Sequence, residues 1–506
     1  MASSLIKDSA GTTGQKTFFG HPRGLATLFM TEMWERFSYY GMRALLVLYI
    51  VSGGADMAKG GQGGGLAMTA ATATAIYSVY VSMVYLMALP GGWFGDRVWG
   101  ARKTVTIAGF VIMAGHLALA IPGQAMFFVG LILVAMGSGL LKANISTMVG
   151  HLYDGPDDPR RDGGFTLFYV GINLGAFVAP FVIGTLGENV NWHLGFALAA
   201  VGMGLGLAQF LFGTRHLSAK SSEVPNPLTA EERKAMISKV IMVALAVAVF
   251  YGVVVAAGVY TLNWAMVPLM LAGLLIPIAV LTKIKRDKDL SATEQSKMTG
   301  YIWFFVAAAV FWMIYDQGGS TLSLFADGKT ADKVFGFGFP ATWYQSLNPL
   351  FVMALAPVFA WLWLWLARKN QEPNTIVKFA MGIILVGASF FVFIVPMNMA
   401  SDGHTLVSPM WLVSIYMIQT IGELCLSPVG LSVTTKMAPQ KYASQMMGVW
   451  FLAVTAGDCT TGLLSTAGVD LNGIGIIGLQ AGLAVVAGLA VYMYRQKVQA
   501  LMGDVH

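Results

Sequence analysis

Charged residues are scarce in this 506-residue chain: Asp, Glu, Lys and Arg make up 11% of it, whereas apolar side chains make up 56%. Soluble domains carry about 25% charged residues, so a soluble globular protein is excluded. The mean hydropathy of +0.67 indicates an integral membrane protein. The net charge of +6 does not predict nucleic acid as a partner, because the basic residues lie in the loops that flank apolar stretches.

Cysteine is also rare, with only Cys425 and Cys459 in the chain. Two isolated thiols in apolar stretches provide neither a disulfide framework nor a metal motif, and buried packing explains them better. The seven histidines are scattered without paired spacing. Because the chain contains no HExxH, Walker or GxSxG sequence either, the sequence predicts no metal site, no cofactor and no enzyme.

Apolar stretches of about 20 residues, the length that a spanning helix needs, recur fourteen times. The predicted spans cover residues 25–53, 70–95, 103–121, 124–150, 163–186, 193–213, 236–258, 264–282, 300–325, 341–367, 374–397, 406–435, 441–466 and 475–495. Pro122 and Gly123 divide the uncharged stretch 104–141, which is too long for one span. The first 24 residues lack the apolar segment of a signal peptide, so we expect a short cytosolic tail.

The positions of Lys and Arg predict the orientation of the chain. Of the 31 basic residues, three lie deep within spans (Arg36, Arg43 and Lys142). Another 25 lie in the tails, in the loops that follow even-numbered spans, or at the span ends that border these. The opposite side keeps only Lys59, Lys329 and Lys333. Because basic loops stay in the cytoplasm, we expect a multi-pass protein of the inner membrane with both termini cytoplasmic.

Apart from Lys239 at the start of span 7, spans 7 and 8 contain no acidic or basic residue. They are flanked by the longest basic loops, so they are predicted to be an insertion between two sets of six helices. The loop after span 2 (GWFGDRVWGARK, 92–103) resembles the G-x-x-x-D-R-x-x-G-x-R-K signature of the major facilitator superfamily, whose halves pack around a central cavity. This resemblance implies an all-α integral membrane fold of two six-helix bundles plus an inserted hairpin, 14 transmembrane helices in total. The predicted parts are a cytoplasmic tail (1–24), an N-terminal bundle (25–215), the hairpin with its basic linkers (216–298), a C-terminal bundle (299–496) and a second cytoplasmic tail (497–506).

Seven Asp, Glu, Lys or Arg residues lie well inside the predicted spans. They are Glu32, Glu35, Arg36, Arg43, Lys142, Asp316 and Glu423. A charge at the bilayer centre costs about 2.5–3.5 kcal/mol on insertion scales, so these groups are expected to pair with one another or with a substrate. Four acids face three bases, from which we infer that one carboxylate holds a proton at some step. Asp458 is placed near the outer end of span 13 and is expected to be solvated.

Span 1 concentrates the charges: Glu32, Glu35, Arg36 and Arg43 fall, with two tyrosines, within about 140° of one helix face. Its segment and five others resemble motifs of the proton-dependent oligopeptide transporter family, in the family's order. The six segments are EMWERFSYYG (32–41), GLLKAN (139–144), FYVGINLG (168–175), FWMIYDQG (311–318), QSLNP (345–349) and GELCLSP (422–428). They extend over nearly the whole chain.

The resemblance implies a proton-coupled symporter that imports di- and tripeptides by alternating access, with protons, peptides and the lipid bilayer as partners and the proton gradient as driving force. The substrate-binding residues that it implies are Arg36, Arg43, Tyr39, Tyr40, Tyr85, Lys142, Asn173, Asn348, Glu423, Ser427 and Trp450. In this set the three basic side chains meet the peptide carboxylate, and Glu423 meets the ammonium group together with the two asparagines. The aromatic side chains would accept varied peptide side chains.

Coupling and gating follow from the same resemblance. The implied coupling residues are Glu32, Glu35 and Arg36, and the implied gate salt bridges are Arg43 with Asp316 and Lys142 with Glu423. Some family members carry a histidine on span 2 where this chain has Ser78. A coupling scheme that depends on that histidine cannot operate here, so we assign coupling to the carboxylates.

Several alternatives remain open at this stage. A relative that carries nitrate would have no use for Glu423, and a membrane enzyme would need a catalytic motif that the chain lacks. A channel would be poorly served by salt bridges across its pathway. Asn348 precedes Pro349 and is equally well explained as a cap for backbone freed by the proline, while Tyr85 and Trp450 are also explained by core packing. The sequence predicts no oligomeric state.

Overall fold

The computed structural model describes residues 17–53, 64–155, 158–334 and 336–503, and these are almost entirely helical. The helices of the N-terminal half are α1 (Gly24–Val51), α2 (Ala70–Leu86), α3 (Ala88–Phe94), α4 (Ala101–Leu119), α5 (Gln124–Gly150), α6 (Arg161–Ala179), α7 (Thr185–Asn189) and α8 (Trp192–Gly213). A π-helical turn over Gly95–Trp99 continues α3, and another over Pro180–Gly184 joins α6 to α7. Short 3-10 turns, Thr214–His216 and Ala219–Ser222, lead out of this half.

The inserted hairpin consists of α9 (Ala230–Ala256) and α10 (Asn263–Lys285). α9 begins six residues before the predicted span, because Thr229 and Glu232 form a capping box that satisfies the first amide groups of the helix. α10 packs against α2 and α16, whereas α9 leaves nearly all of its apolar surface exposed. An apolar helix that is exposed on every side is stable in lipid, which is consistent with a peripheral hairpin.

The C-terminal half repeats the helical pattern. Its elements are α11 (Ala292–Tyr315), α12 (Thr321–Lys329), α13 (Leu347–Arg368), α14 (Thr375–Met399), α15 (Met410–Met437), α16 (Ala443–Thr466), α17 (Ile474–Met493) and α18 (Arg495–Met502), with an antiparallel pair of two-residue strands, β1 (Lys333–Val334) and β2 (Phe337–Gly338), and 3-10 turns at Asp316–Gly319, Ala341–Ser346 and Gln440–Tyr442. The predicted span 300–325 is therefore broken at Asp316 and begins earlier, at a Ser291–Glu294 capping box.

Twelve helical segments of the described ranges are long and apolar enough to cross a membrane. Long helices also occupy the two other predicted spans: α1, which carries four charges, and α4, which opens with Arg102 and Lys103. The chain thus has the multi-pass helical architecture that was expected, while the count of 14 crossings stays a prediction. Lys59 and the ends of both tails lie outside the described residues.

Each half has its own apolar core. In the C-terminal half it is built around fully buried phenylalanines such as Phe311, Phe379 and Phe390, and in the N-terminal half around Phe127 and Phe196. The halves meet mainly along α2 and α16 and along α6 and α13. We call the end where α1 stops and α2 starts the Val51 end, and the opposite end, at which the first and last described residues lie, the termini end.

Hydrogen bonds between the halves are concentrated at the Val51 end. There Glu188 accepts from the backbone amides of Ala341 and Thr342 at 2.8 and 3.1 Å, and the Trp343 indole donates to Thr185 at 2.8 Å. Because carboxylates bond strongly to backbone N–H groups, these contacts close the Val51 end in this conformation.

Candidate functional site

The first cluster of charges lies on α1 and faces the interior of the N-terminal half. The Arg36 Nε atom lies 2.8 Å from Glu32 Oε1 and 2.7 Å from Glu35 Oε2. All three side chains are buried, and Ser138 of α5 donates a hydrogen bond of 3.0 Å to Glu35 Oε1. Two carboxylates therefore share one guanidinium, which leaves one negative charge in excess when both are ionised.

The Arg36 cluster leaves hydrogen-bonding capacity unused. Among the described residues, Arg36 Nη2 and the Oε2 atoms of Glu32 and Glu35 have no hydrogen-bond partner. The short distance from Arg36 to Glu35 Oε2 is thus an ion-pair contact with poor hydrogen-bond alignment. Because buried polar groups without partners are costly, the cluster is equipped to accept a proton or to donate to an anionic ligand.

A close approach of α6 to α1 positions this cluster. A Cβ atom on Gly175 would lie 2.2 Å from the Met33 carbonyl oxygen and 3.1 Å from the Arg36 Cβ atom. Only glycine permits this separation, so the FYVGINLG segment lies directly against the charged turn of α1. Asn173, in the same segment, donates to the Tyr169 carbonyl of its own helix at 3.0 Å.

Lys142 on α5 has aromatic neighbours in place of the predicted acid. Its ammonium group lies 3.7 Å from the centre of the Tyr85 ring and 5.9 Å from that of Phe451, a cation–π arrangement. Tyr85 in turn stacks on Phe451 with ring centres 5.9 Å apart.

The predicted Lys142–Glu423 salt bridge is not formed in the described part of the chain in this conformation, so it stays a prediction for another step of the cycle. Glu423 instead accepts hydrogen bonds from Tyr315 and, at 2.9 Å, from Asn348, which also donates to Thr420 at 3.1 Å. Neutral donors of its own half satisfy the carboxylate, while Lys142 belongs to the other half. Asn348 thus donates hydrogen bonds to two side chains. This role is compatible with capping of the backbone before Pro349.

Arg43 and Asp316, which are far apart in sequence, meet between the halves. Arg43 Nη2 lies 3.0 Å from Asp316 Oδ1, and Arg43 Nε donates to the Tyr77 hydroxyl at 2.6 Å. The contact joins α1 and α2 to the 3-10 turn that follows α11. Its position on the Val51 side of the Arg36 cluster gives it the geometry of a latch between the halves.

Asp458 is buried, contrary to the expectation of a solvated acid. Only 3% of its surface is exposed, and its Oδ2 atom has no hydrogen-bond partner among the described residues. α16 runs on for eight residues beyond it, to Thr466, so its side chain lies deep in the contact with α2 and α11.

The remaining predicted site residues are aromatic or small. Tyr39 stacks on Tyr80, and the Tyr40 ring lies 5.7 Å from the Arg43 guanidinium. Trp450 is 3% exposed and packs closely against Gly430 in its own half. This burial agrees with the alternative that Trp450 is a core residue. The Ser427 hydroxyl is buried and has no partner in the described ranges.

Sequence reasoning missed several polar partners: Tyr77, Ser138, Glu188 and Tyr315 each hold a site charge or join the halves. Tyr77 lies in a segment whose tyrosines resemble ordinary span residues, so no pattern marks it. Tyr315 lies beside Asp316 in the FWMIYDQG segment, and that position could have indicated a role. Glu188 falls just after a predicted span end, where an acid is normally solvated. Within the described ranges no group of three or more His, Cys, Asp or Glu residues is arranged to hold a metal ion.

Two helical halves with buried charges at their interface define a multi-pass membrane carrier. The family model described as the POT family matches residues 102–475, and the chain belongs to that family. It is therefore a transporter and not an enzyme, with the two-bundle fold expected from the sequence.

Named relatives agree with this assignment. The chain is 46% identical over 455 residues to the uncharacterized transporter YclF of Bacillus subtilis (strain 168), covering 90% of this chain and 88% of that one. It is 40% identical over 502 residues to a di-/tripeptide transporter of Lactococcus lactis subsp. cremoris, covering 97% and 98%. A crystal structure of peptide transporter POT in complex with sulfate superposes with a TM-score of 0.90 at 44% identity, covering 96% of this chain and 97% of that chain.

Proposed function

We propose that this protein is a proton-coupled symporter that imports di- and tripeptides across the cytoplasmic membrane, with both termini in the cytoplasm. The observation that carries the proposal is the buried Arg36 cluster, in which two carboxylates share one guanidinium that keeps a free donor. The relative from Lactococcus lactis is named a di-/tripeptide transporter, and this supports the substrate class.

Charges of opposite sign from the two halves converge around Tyr40. Its side chain interacts electrostatically with Arg36 and Arg43 of the N-terminal half and with Glu423 and Asp316 of the C-terminal half. A zwitterionic peptide needs this arrangement, because its carboxylate can take a guanidinium while its ammonium group takes the carboxylate of Glu423. Because the distance between the guanidinium and the Glu423 carboxylate is fixed, peptides of two or three residues are favoured over longer ones.

Proton coupling is assigned to the Arg36 cluster. Protonation of Glu32 or Glu35 removes one of the two counter-charges of Arg36 and frees the guanidinium for the peptide carboxylate. Each charge that moves inward gains about 2.3 kcal/mol per 100 mV of membrane potential. Proton and peptide thus act on the same ion pairs, and opening of the Arg43–Asp316 latch lets the halves rock.

A nitrate carrier is the second candidate, since the basic side chains alone would bind a small anion. The carboxylate of Glu423, which accepts hydrogen bonds from Tyr315 and Asn348, favours a substrate with a cationic group. We therefore retain the peptide assignment.

Uptake by purified protein in proteoliposomes tests the proposal. Labelled dialanine should accumulate when the outside is acidified and should only equilibrate without a pH gradient. Unlabelled di- and tripeptides should compete, whereas tetrapeptides and nitrate should not. Accumulation that ignores the gradient would overturn proton coupling, and competition by nitrate alone would overturn the peptide assignment.

A variant sharpens the test of the ammonium site. In Glu423→Gln the preference for dialanine over N-acetyl-dialanine should shrink by about tenfold or more, because a charge-assisted bond contributes roughly 1.5–3 kcal/mol. Glu372→Gln, the same change at an exposed acid, is the matched control and should keep the preference. An unchanged preference in Glu423→Gln would remove this residue from the peptide site.

A further inference from the structure

Asp458 occupies a tightly packed face of α16 for which the proposed function has no role. One residue earlier, Gly457 lies against α11 so closely that a Cβ atom would be 2.6 Å from the Ala309 carbonyl oxygen. Three residues later, Thr461 Oγ1 donates to the Met313 carbonyl at 3.2 Å. The Asp458 side chain therefore lies against the last turn of α11, which leads directly into Asp316.

The same face of α16 also contacts the N-terminal half. One turn beyond Asp458, a Cβ atom on Gly462 would lie 3.1 Å from the Ser78 Cβ atom of α2, and Ser465 donates to the Ala71 carbonyl at 2.8 Å. Asp458 is thus buried where α2, α11 and α16 meet, at the interface that must rearrange when the halves move.

Each helix around Asp458 contributes a defined set of titratable groups. Asp316, after α11, and Arg43, on α1, both interact electrostatically with Asp458, and Tyr77 of α2 interacts with both acids. Tyr315 of α11 is bonded to Glu423 of α15. On the remaining side, α10 contributes only uncharged residues over its membrane length, with both its lysines in the last turn.

The charges at this junction do not balance when every group is ionised. Among the described residues, Arg43 is the only cation that interacts with both acids, since Lys142 interacts with Asp316 alone. Arg43 already binds Asp316 Oδ1 and the Tyr77 hydroxyl. In the described ranges, the Oδ2 atoms of Asp316 and Asp458 are both buried without a hydrogen-bond partner. Two ionised carboxylates in so dry a place repel each other strongly, and one bound proton removes the excess charge.

We propose that Asp458 is a proton-binding residue of this carrier: it holds a proton while Asp316 is paired with Arg43 and transfers it to Asp316 when that salt bridge opens. In the transfer, the O–H bond on one carboxyl group breaks as one forms on the other, so the pair keeps a single negative charge that Arg43 balances. The inference rests on the proposed proton-coupled function and adds a second proton site to it, separate from the Arg36 cluster.

Asp458→Asn tests the inference, with Asp470→Asn as the matched control at an exposed acid just beyond the same helix. In proteoliposomes, Asp458→Asn should keep counterflow of labelled dialanine at equal pH within about twofold and lose accumulation driven by a pH gradient by about tenfold or more. Asp458→Glu should restore accumulation in part, and Asp470→Asn should retain both activities.

The experiment distinguishes failure of the Asp458 inference from failure of the proposed symport. A wild-type protein that ignores the pH gradient would contradict the symporter itself, whereas a driven wild type with an equally driven Asp458→Asn variant would overturn only the role of Asp458. If Asp458→Asn also loses counterflow, the infrared band of protonated carboxylic acids is compared between the purified wild-type protein and the variant. Loss of that band in the monodisperse variant would support a protonated Asp458, and an unchanged band would overturn it.

Discussion

Arg36 and Arg43 lie two turns apart on α1, yet they have different kinds of partners. Arg36 pairs with two acids of its own helix and stays within the N-terminal half. Arg43 pairs with Asp316 in the other half and with Tyr77 on α2. The contacts of Arg36 are unaffected when the halves rotate as rigid bodies, whereas the Arg43–Asp316 pair must break; the Arg43–Tyr77 contact lies within the N-terminal half.

The difference separates two tasks that one helix performs. A cluster within one half can exchange a proton or a carboxylate in every conformation of the cycle, so it suits binding and coupling. A salt bridge between halves reports on conformation, so it suits gating. The same distinction applies to Asp458. Because it lies at the interface between the halves, its surroundings change when the gate opens.

The largest effect is expected for Arg36→Ala, which removes the cation of the cluster that lies within the N-terminal half. It leaves two buried carboxylates without a counter-charge, a loss that costs about 3–5 kcal/mol in other buried pairs. Peptide uptake should fall by about 100-fold or more, and thermal stability should drop. Arg36→Lys, which keeps the charge but not the planar fork, should recover stability more than uptake; wild-type uptake by Arg36→Ala would refute the role.

Glu35→Gln should separate coupling from binding within the same cluster. Because the amide keeps the shape but cannot carry the proton, uphill uptake should be abolished while peptide counterflow remains measurable. Both assays are run on the same proteoliposomes. Normal proton-driven accumulation by Glu35→Gln would remove Glu35 from the coupling mechanism.

Asp316→Asn should weaken the contact between halves and open the Val51 end more often. Thr342 is buried there, so a cysteine introduced at Thr342 should react with a thiol reagent about tenfold faster when Asp316→Asn is added, as expected for a loss of about 1.4 kcal/mol. Labelling of the protein without that cysteine is subtracted. Equal rates with and without Asp316→Asn would show that the salt bridge does not hold this end closed.

Tyr77→Phe is expected to have a smaller effect of the same kind. It removes the hydroxyl that accepts from Arg43 Nε but leaves the Asp316 pair in place. Labelling of the cysteine at position 342 should rise less than in Asp316→Asn. An effect larger than that of Asp316→Asn would show that the Tyr77 hydroxyl contributes more than the Arg43–Asp316 pair to keeping the Val51 end closed.

The smallest effect is expected at the hairpin linker, outside both clusters. Hydrogen bonds from Lys441 and Tyr442 hold the pKa of Asp287 well below its usual range. A carboxylate with a lowered folded-state pKa stabilises the fold above its unfolded-state pKa and loses this contribution as the pH falls. Because the site is exposed, Lys441→Gln should change uptake by less than about twofold at neutral pH. The variant should lose a little thermal stability at neutral pH, and this loss should vanish in acid. A loss of stability that persists in acid would contradict the ion-pair explanation.

Much of this organisation could be predicted from local sequence. The long apolar stretches and the basic loops predict helices and their direction, because the bilayer requires every backbone polar group to be satisfied within the helix. The early starts of α9 and α11 were predictable too, since both capping boxes are written in the sequence as Thr229-x-x-Glu232 and Ser291-x-x-Glu294. Asp458 was misjudged although it lies as far from its helix end as Arg43 does, and equal depth should have indicated burial.

What the sequence by itself determined is which residues are buried charges, and on which helices they lie. Which of them meet was decided by tertiary structure alone. Arg43 reaches Asp316 across 273 positions of chain, and Lys142 meets the Tyr85 ring instead of Glu423. Pairing between halves depends on how two rigid bundles are docked in one conformation of the cycle, and no local pattern encodes that docking.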